Sequence, residues 1–146
     1  MNSMNDKFFI DTNVFIYSFD KSNLNKQRRA KEIISNALYQ YNGCISYQVI
    51  QEFINVATQK FDIPLTKQDC QRYISTVLEP LCEIFSSIDL INDALEIKEG
   101  WLYSFYDSLI ISAALKANCR ILYSEDLHHE HRIKELVIRN PFHDMP

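Results

Sequence analysis

Four acidic residues stand in settings suited to chemistry: Asp11, Glu52, Asp107 and Asp126. Asp11 ends the apolar run Phe8-Phe9-Ile10 and opens the turn Asp11-Thr12-Asn13. Asp126 follows a second apolar run, Ile121-Leu122-Tyr123, in the tract Ser124-Glu125-Asp126. Glu52 and Asp107 fall in segments that read as helices, Tyr47 to Phe53 and Phe105 to Ile111. A carboxylate at the carboxyl end of a buried strand points into the crevice where open α/β sheets bind ligands. Several carboxylates gathered there repel one another unless a cation lies among them. Hard divalent ions such as Mg²⁺ take carboxylate and water oxygens and leave positions for phosphate. The pattern therefore implies metal-dependent cleavage of a phosphodiester, in which the ion activates water and neutralises the leaving oxygen.

Each acid also has a structural reading. Glu52 on a helix is ordinarily a solvated carboxylate, but Val49, Ile50, Phe53, Ile54 and Val56 leave little polar face around it. Asp107 precedes a long apolar stretch and could cap its helix, and Asp126 could cap the next turn. Asp11 beside Thr12 has little structural purpose. Glu125 adjoins Asp126, and alternation along the chain aims the two side chains differently, which puts Asp126 in the site and Glu125 outside it. His128, His129 and His131 form a nearby cluster, but neutral imidazoles suit Zn²⁺ better than Mg²⁺, and a role in a loop or a crystal contact is expected. Trp101, Tyr103, Phe105 and Tyr106 could stack on bases; packing in the core or at a dimer surface is the expectation.

The elements that must position these residues follow from periodicity and punctuation. Lys7 to Asp11 reads as a short buried strand, followed by a turn through Ile16-Tyr17. Asn23 caps an amphipathic helix over 24–41, with Ala30, Ile33, Ile34, Ala37 and Leu38 on one face. Asn42-Gly43 ends it, and Cys44-Ile45-Ser46 is a brief strand before the helix carrying Glu52. Thr66 with Asp69 forms a capping box for a helix reaching about Leu81. Ile84-Phe85 is a third strand, helices follow over 88–98 and 105–116, and Arg120 to Tyr123 is a fourth strand. Leu136 to Arg139 reads as an edge strand ended by Asn140-Pro141. Short apolar strands alternating with helices predict a parallel sheet covered on both faces, in one domain over 1–146 with a core of about 7–142.

Composition narrows the function classes. Hydrophobic content of 47% with two glycines and four prolines fits a helix-rich folded chain of 146 residues. No run reaches the ~18 apolar residues of a membrane helix, and the N-terminus lacks a leader's apolar stretch, so a cytoplasmic protein without membrane contact is expected. Cys44, Cys70, Cys82 and Cys119 form no CxxC pair and read as reduced, structural thiols. A net charge of −4 argues against nucleic-acid binding by bulk charge alone, yet outside the four site acids the remaining charges balance. The basic tract Lys26-Gln27-Arg28-Arg29-Ala30-Lys31 reads as a solvated helix face rather than a phosphate track.

The segments Phe9-Ile10-Asp11-Thr12-Asn13-Val14, Gln51-Glu52-Phe53, Tyr106-Asp107-Ser108-Leu109-Ile110 and Leu122-Tyr123-Ser124-Glu125-Asp126-Leu127, with Asn140-Pro141-Phe142, resemble the PIN-domain nucleases. They are most similar to the VapC-type toxins of prokaryotic toxin–antitoxin pairs. The resemblance implies a Rossmann-like α/β/α sandwich with a short central parallel sheet, and endoribonuclease activity dependent on Mg²⁺ with Mn²⁺ as a substitute. It also implies RNA as substrate, a small VapB-like antitoxin as partner, and a homodimer. Asp11, Glu52, Asp107 and Asp126 would be the catalytic, metal-binding quartet, with Asp11 and Asp107 as direct ligands. Thr12 and Asn13 would orient the first carboxylate or its water, and Ser124 stands where the family commonly has threonine, preserving the hydroxyl. The alternative within the family is a nuclease of RNA processing, or one acting on DNA, without an antitoxin. A receiver domain would need paired acids after the first strand and a later lysine, and a haloacid-dehalogenase-like phosphatase would need Asp where Asn13 stands. An inactive, purely interacting PIN domain is disfavoured by the complete quartet.

Overall fold

The computed structural model describes residues 6–146; the first five residues of the N-terminal stretch read above lie outside it. β1 (Phe8–Ile10) is wholly buried and runs into α1 (Thr12–Tyr17). α2 (Leu24–Gln40) starts where the Asn23 side chain accepts a hydrogen bond from Lys26 N–H, satisfying one of the amides a helix start leaves unpaired. It ends with Tyr41 in the left-handed region, at φ 56°. β2 (Gly43–Ser46) then leads directly into α3 (Tyr47–Gln59). Gly43 is required by close approach: a Cβ there would collide with the Ala37 methyl and lie 2.7 Å from the Phe8 ring.

Beyond Pro64 the helix expected to reach Leu81 is interrupted. α4 (Lys67–Tyr73), capped by Thr66, passes through a π-helical turn (Ile74–Leu78) into the short α5 (Glu79–Leu81). Cys70, Leu78 and Leu81 are buried and Ile74 and Val77 partly so. The apolar spacing thus stays helical through the interruption, so the pattern carries no mark of it. β3 is Cys82–Ile84, starting two residues before the expected Ile84-Phe85 and ending one before it, and Phe85 is exposed. α6 (Ile88–Trp101) and α7 (Phe105–Lys116) are capped by Ser87 and Ser104. β4 (Ile121–Tyr123) precedes β5 (Arg132–Ile133) and β6 (Leu136–Arg139).

The sheet has the order β3-β2-β1-β4-β6-β5, parallel except for the antiparallel β5–β6 pair. β6 is therefore not the edge strand its sequence suggests: the two-residue β5, invisible to periodicity, lies outside it. The result is a mixed α/β sheet flanked by helices. From β1 the chain builds outward through β2 and β3, then returns to lay β4 on the other side of β1. Such a reversal opens a crevice at the carboxyl ends of the two central strands. The core is strongly aromatic: Phe53 meets Phe15, Phe19, Phe61 and Tyr73 at centroid distances from 5.1 to 6.4 Å, joining α1 and α3 to α4. Edge-to-face and tilted contacts of this kind add to simple area burial. The four cysteines are free thiols, with Cys44 and Cys119 Sγ 3.5 Å apart in the core. Among the described residues no helix is long and apolar enough to cross a membrane.

Candidate active site

The β1–β4 register pairs Ile10 with Tyr123, so Asp11 and Ser124 emerge level with each other at the reversal point. Asp11 is buried, at 6% exposure, and accepts two short hydrogen bonds. Thr12 N–H donates to Oδ1 at 2.7 Å and Ser124 Oγ donates to Oδ2 at 2.7 Å. Asp11 also caps α1, a structural task that its sequence context did not suggest. Asn13 Nδ2 donates to Asp126 Oδ2 at 3.1 Å and lies 3.5 Å from Asp11 Oδ2. Its Oδ1 accepts from Glu125 N–H at 3.2 Å, and Ser124 Oγ accepts from Asp126 N–H at 3.2 Å. The turn after β1 and the turn after β4 are thereby stitched together by side chains.

Glu52 enters from α3. Thr12 Oγ1 donates to its Oε1 at 2.6 Å, and Gln48 Nε2 donates to its Oε2 at 3.2 Å. Gln48 Nε2 also donates to the Tyr106 carbonyl at 3.2 Å, which ties the start of α7 to the same network. Gln48 was not singled out in the sequence, though it lies one helical turn before Glu52, a spacing at which side chains meet. Asp107 occupies the first turn of α7. Its N–H is the one capped by Ser104 Oγ at 3.1 Å, so Ser104 and not Asp107 is the cap.

Three of the four acids are thus joined by hydrogen bonds through Thr12, Asn13 and Ser124, and the fourth is tethered to them through the backbone next to it. The electrostatics follow from burial. Removal from water pushes the Asp11 carboxyl up to about 7, against the lowering pull of the Ser124 and Thr12 hydrogen bonds, and the charges of Glu52 and Asp126 add to the rise. Among the described residues no three carboxylate, imidazole or thiol groups converge as a ready-made ligand cluster.

Neighbouring residues divide between the site and its support. Glu125 turns away: it accepts from Tyr17 OH at 2.6 Å and pairs with Lys26 Nζ at 2.8 Å. Lys26, first of the basic tract, also lies over the Tyr17 ring at 4.7 Å, and its pairing with Glu125 spans 99 positions, which local sequence cannot disclose. The histidines fasten loops. His131 Nδ1 shares a hydrogen bond of 2.7 Å with Tyr103 OH, while His129 Nδ1 accepts from Asn140 N–H and its ring stacks on His143 at 3.9 Å. Of the four aromatics, Tyr103 is buried, whereas Tyr106 is exposed.

Comparison with known proteins agrees with this architecture. A toxin–antitoxin complex from Klebsiella pneumoniae contains a chain similar to this one, with 19% identity and a TM-score of 0.68 over 92% of this chain and 98% of that one. The Mycobacterium tuberculosis toxin VapC20, described as cleaving the sarcin–ricin loop, is similar at 18% identity and TM-score 0.60, covering 82% and 90%. VapBC2 from Rickettsia felis, bound to a DNA fragment from its promoter, is similar at 20% identity and TM-score 0.59, covering 91% and 97%. No curated protein sequence matches the chain. The PIN domain family model matches residues 8–134, and the chain belongs to that family.

Proposed function

We propose that this protein is a metal-dependent endoribonuclease and the toxin of a VapBC-type pair, formed by one PIN domain over 1–146 with a core of about 7–142. The observation that carries the reading is Asp11: a buried carboxylate at the reversal point of the sheet, fixed by Ser124 and Thr12 and linked to Glu52 and Asp126. A buried charge without a cationic partner is costly, and this one is aimed at the crevice where ligands bind. The donors are all oxygen, which fits Mg²⁺ or Mn²⁺ and not a soft or nitrogen-seeking ion. Mg²⁺ is held by one or two carboxylates with water completing its shell, so a converging cluster of three is not needed. Asp11 and Asp107 would hold the ion directly, with Asp126 and Glu52 completing the quartet. When bound, the ion would supply an activated water and neutralise charge on the phosphate oxygens.

The protein's own contribution is orientation. Ser124 and Thr12 hold both oxygens of Asp11, Asn13 holds Asp126, and Thr12 with Gln48 holds Glu52. Fixed acceptors of this kind lower the cost of organising the reacting groups.

The likeness to chains of toxin–antitoxin complexes supports an antitoxin partner, and the family supports a homodimer in the cytoplasm. An antitoxin arginine would pair bidentately with the site carboxylates in place of the ion. A cleft of about 480 Å³ lined by Phe19, Ile34, Leu38, Tyr39 and Tyr73 offers apolar surface for the rest of that chain. The decisive experiment incubates purified protein with structured and unstructured RNAs, with Mg²⁺, Mn²⁺ or EDTA. Cleavage that requires the ion supports the reading; cleavage of DNA alone, or none of either, overturns it. A cognate antitoxin should bind the protein tightly and lose on the order of 2–5 kcal/mol when Asp11 and Asp107 become amides. Unchanged binding would move inhibition to another surface.

A further inference from the structure

A second cavity adjoins the acids, and its lining is unlike theirs. It measures about 270 Å³, at the small end of ligand pockets. Its walls come from the end of β2 and start of α3, the loop after β3, the apolar first turn of α6 and the first two turns of α7, with Ser46, Tyr47, Gln48, Gln51, Phe85 and Tyr106 among the lining residues. It therefore opens at the carboxyl ends of β2 and β3, beside the ends of β1 and β4 that carry Asp11 and Ser124. Gln48 belongs to both sites, because it lines the cavity while donating to Glu52.

Two observations set it apart. Tyr47, Phe85 and Tyr106 are 43%, 61% and 65% exposed, so three large rings around one small cavity are left uncovered. The Tyr47 and Phe85 rings stand 6.0 Å apart, tilted by 40°. Independently, Ser46 is 2% exposed and its hydroxyl has no hydrogen-bond partner. Ser46 sits at the N-cap of α3, where a serine ordinarily accepts from a helix amide, yet its side chain makes no capping bond. A buried hydroxyl left unpaired costs free energy that a ligand could recover.

We infer that this cavity receives an unpaired nucleobase of the RNA substrate, next to the phosphate held for cleavage at the acids; the inference rests on the nuclease reading above. A nucleobase combines a flat π face with a hydrogen-bonding edge. The exposed rings match the face, while the Ser46 hydroxyl and the Gln51 amide match the edge. A base held in a duplex cannot enter. The cavity selects the nucleotide beside the cut, and Tyr106 and Ser46 are its specificity-determining residues.

The test measures equilibrium binding of short fluorescein-labelled oligoribonucleotides by anisotropy in EDTA, in an Asp11→Asn background that cannot cleave. The probes are uridine, cytidine and adenosine homopolymers and a uridine chain with one abasic position. Tyr106→Ala should weaken binding roughly five- to a hundredfold, the worth of one base–aromatic stack. Ser46→Ala, which removes only an unpartnered hydroxyl, should fold normally and change the ranking of the bases. The abasic chain should bind more weakly than its parent and respond less to Tyr106→Ala. Equal affinity for intact and abasic chains, or indifference to Tyr106→Ala and Ser46→Ala alike, overturns the inference. So does a Tyr106→Ala variant whose RNA affinity is unchanged while its sedimentation shifts to a smaller species, which assigns the rings to a protein interface. If the wild-type protein cleaves no RNA yet binds these probes through Tyr106, the cavity stands and the nuclease reading falls. If it cleaves RNA while affinity ignores base and ring, the reverse holds.

Discussion

Two serines at the same end of the sheet are treated oppositely. Ser124, just past β4, is fully buried; its hydroxyl donates to Asp11 and accepts from Asp126 N–H. Ser46, at the end of β2, is as deeply buried and has no partner. The first half of the crevice is finished before any ligand arrives, with its carboxylates oriented at the cost of charge repulsion. The second half leaves its hydrogen-bonding capacity open. Rigid placement suits groups that act on reacting atoms, and open capacity suits groups that choose what enters.

The most severe way to break the first half is to neutralise its charge. Asp11→Asn or Asp107→Asn should lower Mg²⁺-dependent RNA cleavage by on the order of a thousandfold or more, with the circular dichroism spectrum unchanged, because an amide binds Mg²⁺ poorly. Full cleavage by either variant would remove that residue from the site. Ser124→Ala leaves the carboxylate in place but frees one oxygen. Cleavage should fall roughly tenfold to a hundredfold, and half-saturation should need more Mg²⁺; an unchanged metal titration would reduce Ser124 to a packing residue.

Burial of the Asp11 carboxylate, with the neighbouring charges adding to it, should also be visible in stability. The folded state holds the Asp11 proton up to about pH 7, whereas an unfolded chain releases it near 3.8. Between those values the native protein binds more protons, so this group makes metal-free stability fall as pH rises from about 4 to 7 and level off above. The effect is bounded at roughly 4 kcal/mol by the size of the shift. Denaturation in EDTA should show the slope in the wild type and not in Asp11→Asn, and Mg²⁺ should raise the wild-type midpoint near neutrality. A flat profile would mean that the carboxylate is not desolvated in solution.

Smaller effects sharpen the contrast between the serines. Ser124→Ala should cost about 1–3 kcal/mol by stripping a partner from a buried carboxylate. Ser46→Ala should stay within about 0.5 kcal/mol of wild type in urea denaturation; equal losses would erase the distinction. Glu125→Gln should leave cleavage within about twofold and cost ~1 kcal/mol, since its ion pair with Lys26 is partly exposed. A large loss of cleavage would bring Glu125 into the site in place of Asp126.

Much of this is legible in the sequence. Asp11 announced itself as a carboxylate at the end of the buried run Phe8-Phe9-Ile10, where it has little structural purpose, and α2 and its Asn23 cap followed from spacing. The π-helical turn was hidden because the apolar positions through it keep helical spacing. β5 was hidden because two residues carry no periodicity, and its absence made β6 look like an edge. Gln48, the Lys26–Glu125–Tyr17 arrangement and the idle hydroxyl of Ser46 depend on how separate elements meet. No local pattern encodes that.

The sheet's two borders bear on how the protein behaves at high concentration. β3 offers three residues on one side and β5 only two on the other. A foreign strand annealing to either border would gain only a short backbone ladder, too little to nucleate stacked assemblies. Crowded solutions of this chain should therefore resist fibril growth while it is folded, and any lasting companion must be held by side chains rather than by strand addition.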